Sequence, residues 1–333
     1  MKKIVVAGAG GFIAGHLVQE LLKQGHTVRA VDIKPLNEWY QLSDNAENLV
    51  LDLRLRENCY RAVNGCRELF NLAADMGGMG FIENNKAACM ISVLINTHLL
   101  IAARDCGIDR FFYASSACVY NGDKQTDPNN PGLKESDAYP ALAEDGYGWE
   151  KLFSERMCRH FREDFGLTTR VARFHNVYGP YGTYDGGREK APAAICRKVI
   201  EASMTGEKDI VIWGDGHQTR SFMYIDDCVK GILAIMYSDI LEPINLGSSE
   251  MVSINQLVDI VEEIACYRLN RVYDLHAPRG VRGRNSDNTL IKQCLGWEPS
   301  IPLREGMKKT YDWIRTQIEQ DRKDKKRASK FNV

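Results

Sequence analysis

The sequence predicts an α/β chain: a doubly wound parallel sheet with a smaller mixed α/β part beside it. Three observations predict it. A short apolar strand at the N-terminus runs directly into a glycine-rich turn and a helix. Strands and helices then alternate at the spacing of crossover units up to about residue 174. From His175 the texture changes to loop, which marks the start of a second part.

The first strand is Lys-Lys-Ile-Val-Val-Ala, residues 2–7, followed at once by Gly-Ala-Gly-Gly-Phe-Ile-Ala-Gly, residues 8–15. A helix is expected over 11–23, with Phe12, Leu17, Leu21 and Leu22 on its apolar face. Residues without Cβ let the backbone approach a pyrophosphate, which then rests at the positive end of the helix. The second strand, 27–32, ends in Asp32, at about the 20-residue distance where a carboxylate binds a ribose 2′-hydroxyl. That carboxylate repels a 2′-phosphate, so NAD is expected rather than NADP. The sheet is therefore of Rossmann type, with Gly8, Gly11, Phe12, Ile13 and Asp32 as cofactor contacts. A plain doubly wound fold without dinucleotide is the competing reading of the turn.

A third strand is expected over 48–53, with Asp52 near the adenine, and a fourth over 67–73. The turn Asp75-Met-Gly-Gly-Met-Gly80 fits either close approach to a ligand or a plain structural turn. Residues 84–106 read as one long helix. The stretch from Arg110 to Tyr120 is a buried strand opening at Ser116 onto small residues. Residues 121–145 are polar and rich in Pro and Asn, as suits a loop over a site. A helix follows over 147–165, with Leu152, Phe153, Met157 and Phe161 assigned to its buried side, and a strand over 169–174.

The large domain is placed at 1–174 plus about 221–250. The substrate-side domain takes about 175–220 plus 251–320, with helices at 254–266, 288–295 and 303–319. The tail from 321 lacks an apolar period and is expected to fray.

Composition excludes little but helps. Lys and Arg number 43 against 44 Asp and Glu, so no nucleic-acid or anionic-membrane surface is expected. No basic stretch with an apolar run precedes the first strand, and no segment is expected to span a bilayer. Ten cysteines stand singly with no Cys-x-x-Cys pair, which in a cytoplasmic chain reads as reduced thiols.

Within this frame, Tyr147 and Lys151 lie four apart on a helix and share one face. A phenol beside an ammonium favours its phenolate. With Ser116 as a hydrogen-bonding partner, the pair forms a base for a hydroxyl proton. Most such pairs are ordinary helix-surface residues; the dinucleotide signature upstream is what distinguishes this one.

The pattern Gly8-x-x-Gly11-x-x-Ala14, Asp32, the Ser116 strand end and Tyr147-x-x-x-Lys151 resembles the extended short-chain dehydrogenases/reductases, the group of nucleotide-sugar epimerases and dehydratases. The resemblance covers the chain to about residue 320. Ala14 replaces a glycine common in that group, a mild departure because Ala also permits close packing. Met76-Gly-Gly-Met-Gly80, Cys118 and Gly186-Gly-Arg-Glu-Lys190 are similar to the GDP-mannose 3,5-epimerase branch. The segment Asn121-Gly-Asp-Lys-Gln125 departs from it.

That resemblance implies oxidation of a sugar hydroxyl at C4 with tightly held NAD, followed by inversion at C3 and C5. It implies Tyr147, Lys151 and Ser116 for the first step, Cys118 as base and Lys190 as acid for the second. A thiol base needs a lowered pKa, which Lys190 nearby is expected to supply. Gly77, Ala117, Asn176, Glu189 and Ala191 are implied substrate contacts. Lys198, Gln218, Thr219, Arg220 and Arg284 complete them, with the cations meeting a diphosphate. Arg188 and Arg282 are expected only to support loops. Taken alone, each of these is more ordinary: a cysteine after a strand is usually core, and such cations are usually surface charge. A homodimer formed through a helix bundle is implied as well. Two other readings are a 4-epimerase or 4,6-dehydratase on another nucleotide sugar, and an NAD-binding scaffold without activity. The dehydratase would carry Asp-Glu where this chain has Ala117-Cys118, and a scaffold has no need of Tyr147 and Lys151.

Overall fold

The computed structural model describes residues 2–278 and 280–331, with side chains through residue 324. Its centre is a seven-stranded parallel sheet. The first six strands are β1 (Lys3–Ala7), β2 (Thr27–Asp32), β3 (Glu47–Val50), β4 (Glu68–Asn71), β5 (Arg110–Ser116) and β6 (Thr168–Phe174). They run in the order β6-β5-β4-β1-β2-β3, with Ile244–Leu246 adding a seventh strand beside β6. The chain order reverses between β1 and β4, and the strand ends open there onto a crevice.

Alternation along each strand builds two cores. On β1, Ile4 and Val6 face one helical layer while Val5 and Ala7 face the other. On β5, Phe112 joins the first core, and Phe111 and Tyr113 the second. The helices Phe12–Lys23 and Ile225–Met236 cover the first face. Arg56–Val63, Val93–Asp105 and Tyr147–Phe165 cover the second.

The second part packs three helices, Ala191–Thr205, Ile254–Ala265 and Leu303–Phe331, against one another. Among the described residues, three small sheets accompany them, one of them the two-residue pair of Val177–Tyr178 with Met223–Tyr224. Asp209–Trp213 pairs in parallel with Asn270–Asp274, and Thr219–Ser221 pairs with Met251–Ser253 and Gly283–Arg284.

Five expectations are corrected. The long helix over 84–106 is divided into Lys86–Ile91 and Val93–Asp105 at Ser92, whose hydroxyl accepts the Asp75 N–H at 2.9 Å. Another short helix, Met79–Asn84, occupies part of the expected turn. Phe153 lies outward and is 51% exposed, because it falls off the face that buries Leu152, Glu155, Cys158 and Phe161. The last helix continues through 321–331, where a frayed tail is expected; residues 332 and 333 lie outside the described residues. Finally, Lys86–Asp105 is long and apolar enough by length and composition to cross a bilayer, against the expectation that no segment is. Its inner side is committed to this fold: Asn96 is buried against Asn71 and Ser154.

Candidate active site

The N-terminal turn has the geometry the glycines require. Gly8 sits at φ +86°, and a Cβ there would lie 2.9 Å from the backbone of Ala73. The helix that follows starts at Phe12 with no side chain capping it, so its first N–H groups face the crevice. Asp32 accepts the Gly10 N–H at 3.0 Å through Oδ2 and the Lys34 N–H at 3.0 Å through Oδ1. A carboxylate offers about four acceptor positions, so these bonds orient it without exhausting it. Asp52 lies on the neighbouring chain segment, clasped by the Arg54 side chain through bonds of 2.9, 3.1 and 2.7 Å. Trp39, which the sequence did not single out, lays its indole against Gly10 and donates to the Lys34 carbonyl at 3.0 Å. These residues fit a dinucleotide.

The second half of the site forms where β5 ends against the helix Tyr147–Phe165. Gly148 makes the approach possible, since a Cβ there would come within 2.3 Å of the Cys118 carbonyl. The helix is fixed from behind by Glu155, which takes two bonds from Arg173 at 2.9 and 2.8 Å and one from Ser115 at 2.6 Å. Tyr147 is thereby buried at the strand end, with the Ser116 hydroxyl in hydrogen-bonding reach of both its phenol and the Cys118 thiol.

The structure alters the electrostatic argument at both reactive groups. Burial, then the nearby Cys118 and Glu150, push the Tyr147 phenol well above its ordinary value; the Ser116 hydrogen bond opposes them. Lys151 stands 5.4 Å from the Tyr147 ring, and its ammonium is shared with buried partners. It donates to the Tyr113 hydroxyl at 3.2 Å and lies 3.4 Å from the Glu150 carboxylate. Glu150 also accepts from Tyr113 at 3.2 Å and Ser154 at 3.0 Å. Its position three residues after Tyr147 is the signal that places it on the same helix face.

At Cys118, burial pushes the thiol up to about 11, with Glu144 adding to the rise. The cation bonded to it is Arg284, whose Nη1 lies 3.6 Å from Sγ, rather than the expected Lys190. Arg284 also donates to Gln125 at 2.7 Å and pairs with Glu144. It therefore meets the thiol end of the site, whereas the sequence sets it against a diphosphate.

Lys190 begins the helix Ala191–Thr205, half-buried, with Cys118 among the charges acting on its ammonium; burial lowers its pKa. Two specific motifs of the sequence meet here. Arg188 donates to Asp75 at 2.7 Å and Met76 O at 3.2 Å, and lies 3.7 Å from the Phe81 ring centroid. The Gly78 N–H returns a bond to the Arg188 carbonyl at 3.0 Å, so the buried Gly77 and its neighbours are latched to the loop that ends in Lys190. Glu189 braces that loop by accepting the Gly187 N–H at 2.7 Å. As expected, Arg282 supports a loop, through Asp215 at 2.9 Å.

The other predicted contacts are more spread. Ala117 is buried beside Cys118, and Ala191 follows Lys190. Asn176 takes a positive φ of 40° and donates to Ser221 O at 3.0 Å. Gln218 donates to Trp213 O at 2.7 Å, and its own buried carbonyl oxygen has no protein partner. Thr219 and Arg220 lie on the short strand beside Arg284, with the Arg220 guanidinium bonded to Thr219 O and Val281 O. Lys198 is turned to the strand Asp209–Trp213, donating to Val211 O at 2.8 Å.

Comparison with known proteins bears on this arrangement directly. A model described as the NAD dependent epimerase/dehydratase family matches residues 4–247. The chain belongs to that family. It is 49% identical to the GDP-mannose 3,5-epimerase of Arabidopsis thaliana over 96% of this chain and 84% of that protein. Among solved structures, the UDP-glucose 4-epimerase of Thermotoga maritima with UDP-glucose aligns at a TM-score of 0.83. The identity there is 27%, over 95% of this chain and 99% of that one. MoeE5, solved with UDP-glucose and NAD, aligns at 0.79 with 29% identity and the same coverage.

Proposed function

We infer that this protein epimerises GDP-mannose at C3 and C5 through a transient 4-keto sugar, giving GDP-L-galactose, and GDP-L-gulose when only C5 inverts. The observation that carries the reading is the thiol of Cys118 beside Tyr147 and Ser116, facing Lys190, in a chain 49% identical to a GDP-mannose 3,5-epimerase.

The C–H bonds at C3 and C5 of a sugar are barely acidic. A ketone at C4 makes both acidic through their enolates. NAD, when bound against the Gly8–Gly11 turn and Asp32, supplies the reversible oxidation at C4. The rest falls to the chain. Tyr147 takes the C4 hydroxyl proton and later returns it, with Ser116 holding the oxygen and Lys151 stabilising the charge that develops. Cys118 removes a proton from one face of the sugar, and Lys190 delivers one to the opposite face. Burial lowers the Lys190 ammonium and makes it a readier acid, whereas the Cys118 thiol, raised to about 11, is not lowered as a resting thiolate base would require.

The test is incubation with GDP-mannose in deuterated water and NMR of the recovered sugar nucleotide. Deuterium at C5 and C3 with inverted configuration is expected. Inversion confined to C4, without deuterium at its neighbours, would replace this reading with a 4-epimerase.

NAD is expected to stay bound between turnovers, because one site both makes and reduces the ketone. Denaturing the purified protein should release NAD and not NADP, as measured by enzymatic cycling assay. Release of NADP would remove Asp32 from its role.

The reading includes a homodimer. Met90, Ile91, Leu94, Trp149 and Phe153 are all 40% or more exposed on adjacent helices, an apolar face suited to its own copy across a two-fold axis. Phe153→Lys should convert the dimer to monomer in sedimentation experiments; a wild-type monomer would refute the assignment. A cytoplasmic location belongs to the same reading and is supported by ten cysteines that are all free thiols.

A further inference from the structure

Cys118 is faced by charged and titratable groups from every element around it. Arg284 comes from the strand Gly283–Arg284, Arg220 from the adjoining strand Thr219–Ser221, and Lys190 from its loop. Tyr147 and Cys89 pack beside it, and Ser116 reaches it from the strand end. Against three cations stands one carboxylate among the described residues, that of Glu144. Three cations would ordinarily draw a thiol toward its thiolate.

Burial opposes this first, and Glu144 is held where it opposes it next. Its own N–H donates to the Cys118 carbonyl at 2.9 Å, tying the two residues together through the backbone. Its Oε1 pairs with Arg284 Nη2, while Nη1 of the same guanidinium reaches the Cys118 sulfur at 3.6 Å. Its Oε2 is buried without a protein partner, so this carboxylate is neither a surface charge nor a fully satisfied structural one. One guanidinium is thus divided between a carboxylate and a thiol.

We propose that Glu144 is a tuning residue for the epimerase chemistry: by engaging Arg284 it withholds positive charge from Cys118 and keeps the thiol protonated in the resting protein. The consequence is protection. A thiolate flanked by three cations is the species that oxidises and alkylates, whereas a thiol does so slowly. The inference rests on Cys118 being the proton-transferring thiol, but its test reads the thiol itself and needs no turnover.

The experiment is a pH titration of the ultraviolet thiolate absorbance in the NAD-loaded protein, with the matching Cys118→Ala protein subtracted to isolate one thiol among ten. Glu144→Gln keeps the shape and the bond to Arg284 but removes the charge. It should move the Cys118 transition down by about one pH unit or more, a roughly tenfold gain in thiolate below the transition. Arg284→Gln should move it up. A folded Glu144→Gln protein whose transition is unmoved or raised overturns the proposal. If Glu144→Gln fails to fold, judged by near-ultraviolet circular dichroism, Glu144→Asp serves instead. It draws the carboxylate back by one methylene and should shift the transition downward by less; no downward shift overturns the proposal equally. Loss of epimerase activity with an unmoved transition would count against Glu144 alone. A shifted transition in a protein that leaves GDP-mannose unchanged would count against the proposed function alone.

Discussion

Tyr147→Phe should abolish every reaction of the sugar at once, including deuterium uptake at C5. In the proposed mechanism the phenol takes the C4 hydroxyl proton, and without a ketone at C4 the neighbouring C–H bonds keep their ordinary inertness. Loss of an acid/base catalyst costs on the order of 10²–10⁴-fold in rate. The substitution removes one oxygen from a packed side chain that touches Ser116, so the fold and NAD content should be unchanged. Proton exchange at C5 at the wild-type rate in this variant would mean that the ketone is not an obligatory intermediate.

Cys118→Ala should separate the two halves of the chemistry. The thiol is buried, and Ala removes its sulfur without adding bulk, so the strand end and NAD binding should persist. Inversion at C5 should fall by about 10²–10⁴-fold, the range for a lost acid/base catalyst. The measurement is NMR of product formed in deuterated water, alongside GDP-mannose binding by calorimetry. Turnover at the wild-type rate would reduce Cys118 to a core residue and favour the 4-epimerase reading. The pair of variants is informative because their predicted defects differ: Tyr147→Phe stops oxidation, whereas Cys118→Ala leaves it available.

Much of this was legible in the sequence because the signals are local. The Gly8–Gly11 turn, the Asp32 strand end and the Tyr147–Lys151 helix each follow from periodicity or spacing within one element. The helix Tyr147–Phe165 begins and ends where the sequence places it. What was not legible depends on neighbours far along the chain. Arg284 takes its place at the thiol from 166 residues away, and pairs with Glu144 from 140. Phe153 reads as buried because it is an apolar residue on a helix, although this face is left to solvent in the protomer. The division at Ser92 carries no glycine or proline to announce it; the cause is a hydrogen bond to Asp75. Glu150 and Tyr113, which share the Lys151 ammonium, were hidden for the same reason. Each lies in a strongly patterned element whose periodicity says nothing about polar partners.

The joint at Ser92 has a mechanical consequence. On its outer side are Met90, Ile91 and Leu94, the face assigned to the second protomer. On its inner side it holds the backbone of Asp75, Asp75 holds Arg188, and the loop of Arg188 ends at Lys190. Four covalent or hydrogen-bonded steps therefore connect the proposed dimer face to Lys190, the acid of the proposed mechanism. A helix without this joint would slide as a rod and leave the loop behind. With it, in the proposed homodimer, a rocking motion of one protomer on the other would work as a lever on its own active-site loop, and on the partner's by symmetry. If the proposed homodimer forms on this face, the two active sites are geared together.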